Sequence, residues 1–308
     1  MINFRYHIVS LMAVFIALSV GIAIGVSLGP AVRRDLLEQA AQDRKQVAEL
    51  RAELNHRNAL DQYRDAFEQQ VGEPVIEDTL TGVRVAVVAM PDAPSRVVTD
   101  ITAAVATAGG SVVREVQVRP DSFDPAKAED VTAALANLAV HVPVTEGMSQ
   151  AEKIGAAVAR SIASPQTEDR DQLARDVGDA LSRAGFVAIE GKSAAQAQLV
   201  LVVGAEASDP PATTAVLSAH VQFDLELKSR AAMVLAGPNS ARIEGTDVLA
   251  VRTDPQGSNQ LSTVDVADLR SGVITTMLAG KEQLLGREGH HYGALAKADA
   301  PLPTLPIR

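Results

Sequence analysis

The chain has 308 residues, of which 47% are hydrophobic, 21% charged and only 3% aromatic, with no tryptophan and no cysteine. This composition supports a packed core of Ala, Val, Leu and Ile rather than general disorder, and it excludes disulfides, thiolate metal sites and cysteine nucleophiles. A net charge of −10 argues against nucleic-acid binding, which needs a basic face to displace counterions.

The first element is "IVSLMAVFIALSVGIAIGVSL", Ile8 to Leu28, without one charged residue. About twenty apolar residues in a helix cross the hydrocarbon core of a bilayer, whereas a signal-peptide apolar region is shorter and ends in a small-residue cleavage site. "SLGPAVRRD" offers no such site, so residues 1–31 read as a single-pass anchor. Gly21, Gly25 and Gly29 stand four apart, a doubled G-x-x-x-G that lets two anchors approach closely; the alternative is that glycines are simply common in membrane helices. Arg5 precedes the span and Arg33 and Arg34 follow it, and large domains cross membranes largely regardless of such charges, so charge alone leaves the orientation open.

Residues 32–73 predict a helical stalk. Val32 to Val71 contains no proline or glycine and is rich in helix formers. Leu36, Ala40, Val47, Leu50 and Leu54 follow steps of three and four, the spacing of a coiled-coil seam, with Asp43 as an interruption. The phase slips near Asn55–Asn58 and resumes at Leu60, Tyr63 and Phe67. The opposite face is almost wholly charged. This pattern predicts pairing with a second copy, as a homodimer, or with a partner helix; the alternative is one amphipathic helix folded back on its own domain.

Gly72, Pro74 and Gly82 read as a linker, and the rhythm then changes. Strands are expected at Val83–Met90, Ser111–Val118, Phe186–Glu190, Gln198–Gly204, Ala231–Gly237 and Thr246–Thr253. Helices are expected at Pro94–Gly110, Lys127–Ala139, Ser149–Ser161, Asp169–Ala184, Thr213–Arg230 and Asp265–Leu285. Such alternation predicts a Rossmann-like α/β domain with a mostly parallel sheet over residues 74–293. Residues 294–308, with three prolines and little to bury, read as a disordered tail.

Sheets of this class bind ligands beyond the carboxyl ends of their strands. The turn after the first strand, "MPDAPS", lacks a glycine for pyrophosphate, and "GAEASDPP" carries acids that repel phosphate. There is no phosphate-binding G-x-x-x-x-G-K-[ST] and no G-x-S-x-G nucleophile elbow. The acid pairs Asp92 with Asp100 and Asp247 with Asp254 read as solvated loop acids and helix caps. Five of the methionines are scattered over Met12, Met90, Met148, Met233 and Met277, and of the histidines only His290 and His291 adjoin, so "GHHYG" reads as a turn with solvated histidines rather than part of a metal site. No catalytic, cofactor or metal residues are assigned, and the chain is expected not to be an enzyme.

The opening "MINFRYHIVSLMAVFIALSVGIAIG", the segment "LTGVRVAVVAMPDA", "LSTVDVADLRSGVITTMLAG" and the ending "GREGHHYG" resemble the actinobacterial MctB family, from one end of the chain to the other. The resemblance implies a cell-envelope protein anchored in the cytoplasmic membrane, with the bulk of the chain extracytoplasmic and a part in keeping cellular copper low. Some members are described as outer-membrane channels, yet this sequence lacks the alternating ten-residue segments and aromatic girdles of a transmembrane barrel. The family also includes SteB-like proteins of cell separation, which work with a membrane partner and a cell-wall hydrolase pathway. The expected role is therefore a coiled-coil adaptor without enzymatic activity, with copper homeostasis or efflux as the alternative. Copper as a bound ion rests on the resemblance alone.

Overall fold

In a computed structural model the described residues are 4–136, 147–166, 169–191, 193–238, 245–287, 289–295 and 297–305. They divide into two compact units, Met1–Asp65 and Ala66–Arg308.

The first unit is helix throughout its described length, part of α1 (Phe4–Ile76). Its segment Tyr6–Val26 is long and apolar enough to cross a membrane, and the side chains there are exposed. Further along, local ion pairs such as Glu53 with Arg57 at 2.9 Å and Asp61 with Arg64 at 3.2 Å line the helix surface. Exposed pairs of this type each contribute under about 1 kcal/mol, so they favour the helix without deciding what covers it.

In the second unit the last turns of α1 pack on the α/β core. Gly72 and Pro74, read from the sequence as a linker, are inside the helix, which ends at Ile76. The approach here is close: a Cβ on Gly72 would lie 2.2 Å from Ile274 Cδ1, so a larger residue would require that side chain to move. Ile76 is buried, the Glu68 carboxylate accepts from the Ser271 amide at 2.9 Å, and Arg270 faces Glu73 at 3.9 Å. The turn comes at Gly82, at φ +74°.

The elements that follow are β1 (Arg84–Ala89), α2 (Ser95–Thr107), β2 (Ser111–Val118), α3 (Ala128–Leu135), α4 (Gln150–Ile162), α5 (Gln172–Arg183), β3 (Val187–Glu190), β4 (Leu199–Val203) and α6 (Thr214–Lys228). Then come β5 (Ala232–Ala236), α7 (Asp247–Thr253), α8 (Gly257–Gln260), β6 (Ser262–Val264), α9 (Arg270–Leu284) and β7 (His291–Tyr292). The seven strands form one sheet in the order β3-β2-β1-β4-β5-β6-β7, parallel throughout except for β2 against β3. The chain runs outward from β1 in one direction and from β4 in the other, so the topological switch lies between β1 and β4.

The central strands are apolar on both faces, as parallel strands between helices must be. Val200 and Val202 of β4 point into one core with Ile154 and Ile162 of α4 and Phe223 of α6. Leu199, Leu201 and Val203 point into the other, with Ile101 of α2 and Met277 of α9. Aromatic side chains are few, Phe123, Phe186 and Phe223 in the first layer and Tyr292 in the second, in keeping with the composition.

Three expectations differ from the structure. Thr246–Thr253, expected as a strand, is helix α7: Asp247, Val248, Val251 and Arg252 are buried, a three-and-four spacing that only a helix presents to one core. The strand beside β5 is instead β6, hidden in the sequence because Ser262 and Thr263 are polar and fully buried. The last long helix starts at Arg270 and not at Asp265. The C-terminal segment is also held in part: Asp299 donates its amide to the His291 carbonyl at 2.7 Å, Tyr292 bridges to Ala300, and Pro303 is buried. The expected end of the Lys127 helix at Ala139 lies outside the described residues.

Candidate functional site at the sheet crossover

The carboxyl ends of β1 and β4 open into a crevice of about 370 Å³. Its walls are the two turns that sequence reasoning examined for phosphate binding. Pro91 and Asp92 follow β1, Ala205 and Glu206 follow β4, and the Glu206 amide donates to the Asp92 carbonyl at 3.3 Å, tying the turns together. Asp92 sits at φ +61°, a conformation that aspartate tolerates better than most residues. Phe123, Pro120, Pro125, Val216 and Leu217 supply an apolar lining.

At the floor lies a pair that no sequence spacing announced. His220 of α6 and Asp247 of α7 are 27 positions apart, yet Nδ1 of His220 is 2.7 Å from Oδ1 of Asp247. Both are buried, at 5% and 1% exposure. The other Asp247 oxygen accepts from the Ala205 amide at 2.8 Å, so the carboxylate is held between a strand turn and an imidazole. The hydrogen bond of Nδ1 to the carboxylate thus joins α6 to α7 inside the fold. The Phe123 ring packs beside the imidazole, 4.2 Å between centroids. One helical turn on, Asp224 is fully buried and neither of its oxygens has a hydrogen-bond partner. Burial, reinforced by the nearby Asp247 charge, pushes its carboxyl well above the usual range. Asp247 is thus no solvated loop acid; Asp254, by contrast, does cap a turn, accepting from the amides of Gln256 and Gly257.

A second polar cluster ties together the two C-terminal segments singled out in the sequence. Arg252 donates to Asp265 at 2.8 Å, to the Thr263 hydroxyl at 2.8 Å and to the Tyr292 carbonyl at 2.8 Å. Thr263 meets Nδ1 of His291 at 3.0 Å, and Tyr292 donates its hydroxyl to Glu282. "GHHYG" is therefore a turn only in part: His290 is exposed, while His291 is a buried strand residue whose imidazole pKa is lowered, first by burial and then by Arg252. The closing Gly293 is required, since a Cβ there would lie 2.0 Å from Oδ1 of Asp265 and its φ is +134°. Among the described residues no group of three or more His, Cys, Asp and Glu side chains is placed to hold a metal ion.

The stalk residues lie on α1. Val47, Leu50, Leu54, Leu60 and Phe67 are all exposed, Leu50 and Leu54 at 57% each. Leu36 and Ala40 fall in the helix but their side chains are outside the described set. Because the helix runs on unbroken through Asn55–Asn58, the phase slip becomes a rotation: Leu60 follows Leu54 by six residues, about 240° at roughly 100° per residue. The apolar stripe through Val47, Leu50 and Leu54 and the one through Leu60 and Tyr63 therefore face different directions. Gly21, Gly25 and Gly29 lie in the same helix, with open space where a Cβ on Gly21 or Gly25 would be.

Fold and crevice together define an open α/β protein with Rossmann strand order, carrying a span of membrane length at its amino end. Residues 1–303 match the family described as "Copper transport outer membrane protein, MctB", and the chain belongs to that family. Curated relatives include the copper transporter MctB of Mycobacterium tuberculosis and that of Mycobacterium bovis, each 28% identical over 95% of this chain and 96% of the relative. The copper transporter MctB of Mycobacterium leprae is 27% identical over the same shares.

Proposed function

We propose that this chain is a non-enzymatic, membrane-anchored protein of the cell envelope that takes part in copper homeostasis. The observation that carries the copper reading is the family match over nearly the whole chain. In this account the Tyr6–Val26 span sits in the cytoplasmic membrane and the α/β unit lies outside the cytoplasm. The chain acts through partners, and the support for this is the exposed apolar residues of α1. Leaving large apolar side chains in water forgoes about 1.5–3 kcal/mol each relative to full burial, so a stripe of them favours a covering helix. The first stripe pairs with a second copy, and the second, turned away from it, is free for a different helix.

Whole-cell copper tests the reading. A strain lacking the chain, grown in copper, is expected to retain more of the metal than its parent, and equal copper content would refute it. The two-stripe arrangement also suits an adaptor in cell separation through a cell-wall hydrolase. Normal copper combined with chained, unseparated cells would favour that second reading.

A further inference from the structure

We propose that two copies of the stalk meet parallel and in register, with Asp43 of each chain inside the seam and paired to Arg44 of the other. This deepens the self-association reading of the stalk and rests on it. With Val47 as a and Leu50 as d of the seven-residue repeat, Ala40 and Leu54 are also a, and Leu36 and Asp43 are also d. Asp43 is thus the one charged residue among the seam positions from Leu36 to Leu54. A carboxylate closed into a seam disfavours association unless a cation meets it there. In a parallel pair each d side chain packs beside the d and e side chains of the facing helix, and Arg44 is the e residue of this layer. Two copies therefore bring two carboxylates and two guanidiniums together, a layer without net charge.

The independent observation is how the stalk uses its charges. Lys45 pairs with Glu49 at 3.8 Å, Arg57 with Glu53 at 2.9 Å and Arg64 with Asp61 at 3.2 Å, each within one helix. Asp43 and Arg44 are exposed, and neither forms an ion pair or side-chain hydrogen bond with another described residue. Neighbours in sequence, they diverge by about 100° around the helix and do not face each other. The acid on the seam and the base at its flank are left for a facing chain. Arg51 holds the next e position, but the g residue opposite it in a parallel pair is Gln46, so the charge match is confined to one layer. With Tyr6–Val26 in a bilayer, both stalks leave the membrane from one side, and the parallel arrangement is the one open to them. Sliding by one repeat would set Asp43 against Leu36 or Leu50, so the polar layer favours the aligned register.

Oxidative cross-linking of the full chain carrying Val47→Cys, in vesicles at high lipid dilution, tests the proposal. Asp43→Arg gathers four cations in the layer and Arg44→Asp gathers four acids, and each should lower the cross-linked fraction at least tenfold. The two variants mixed should cross-link to each other at the level of the unaltered layer, because opposite charges then face across the seam. Arg51→Asp, the same charge change one repeat on, should alter the fraction less than threefold. Suppose the unaltered layer cross-links. Single variants equal to it, no rescue on mixing, or an equal loss in Arg51→Asp would then overturn the Asp43–Arg44 pair and leave self-association standing. No cross-link in the unaltered layer would overturn both, and the stripe would belong to a helix of another protein.

Discussion

Replacing Leu50 and Leu54 together with Asp perturbs the stripe on which the proposed self-association rests. Each side chain is 57% exposed, and closing that part against a facing helix is worth about 1–1.7 kcal/mol. A symmetric pair contributes four such side chains, about 4–7 kcal/mol, before the added cost of bringing carboxylates to the contact. At roughly 1.4 kcal/mol per tenfold, association should weaken about a thousandfold or more. The chain has no cysteine, so Val47→Cys supplies a single thiol beside the altered positions and makes oxidative cross-linking clean. In lipid vesicles the otherwise native stripe should give a covalent dimer that persists as lipid dilutes the protein, and the double-Asp chain should fall to random-encounter levels. Exchanging Glu49 and Arg51 for Gln should do much less, because exposed flanking charges are worth under about 1 kcal/mol. Equal cross-linking in the double-Asp and native-stripe chains at high dilution would refute the reasoning, because Leu50 and Leu54 would then carry none of the association.

Asp224→Asn tests the raised carboxyl. A carboxyl whose folded pKa is raised binds its proton more tightly folded than unfolded, so stability is full below the unfolded value near 4 and is lost as pH rises through the folded pKa. With His220 and Asp247 as its charged and titratable neighbours, thermal unfolding of wild type and variant should diverge in the variant's favour as pH rises from about 4; parallel curves would contradict this. Gly293→Ala should lower the melting temperature through a loss on the order of 1–3 kcal/mol, since it strains a positive-φ position and drives a methyl into Asp265; unchanged melting would show that the β7 turn adapts freely. Protease added to spheroplasts should digest the α/β unit and leave a short membrane-bound fragment, whereas full protection, with digestion after lysis, would reverse the orientation.

The parts of the fold legible in the sequence were those whose residues announce their own environment. β-branched runs such as "LVLVV" at Leu199–Val203 are buried on both sides, and the alternation of these runs with helical segments was enough for a mostly parallel sheet. Where polar residues are buried, the reading failed. Ser262 and Thr263 become a strand because Gln283, Arg252 and His291 satisfy them from elsewhere in the chain, and the adjoining Val248 and Val251 then serve a helix. Gly72 and Pro74 looked like punctuation, but close packing against Ile274 uses the glycine inside a helix. The candidate site was the least legible feature. The acids of the crevice turns were noticed, yet His220 and Asp247 signal nothing at a separation of 27 residues until α6 and α7 bring them together.

The central claim is that the chain serves copper homeostasis through its helix rather than as an isolated domain. Its most direct test is copper content in a strain lacking the chain, complemented with either wild type or the Leu50→Asp, Leu54→Asp variant at matched abundance in the membrane. Wild type should restore low copper and the variant should leave it high. Full restoration by the variant would contradict the claim.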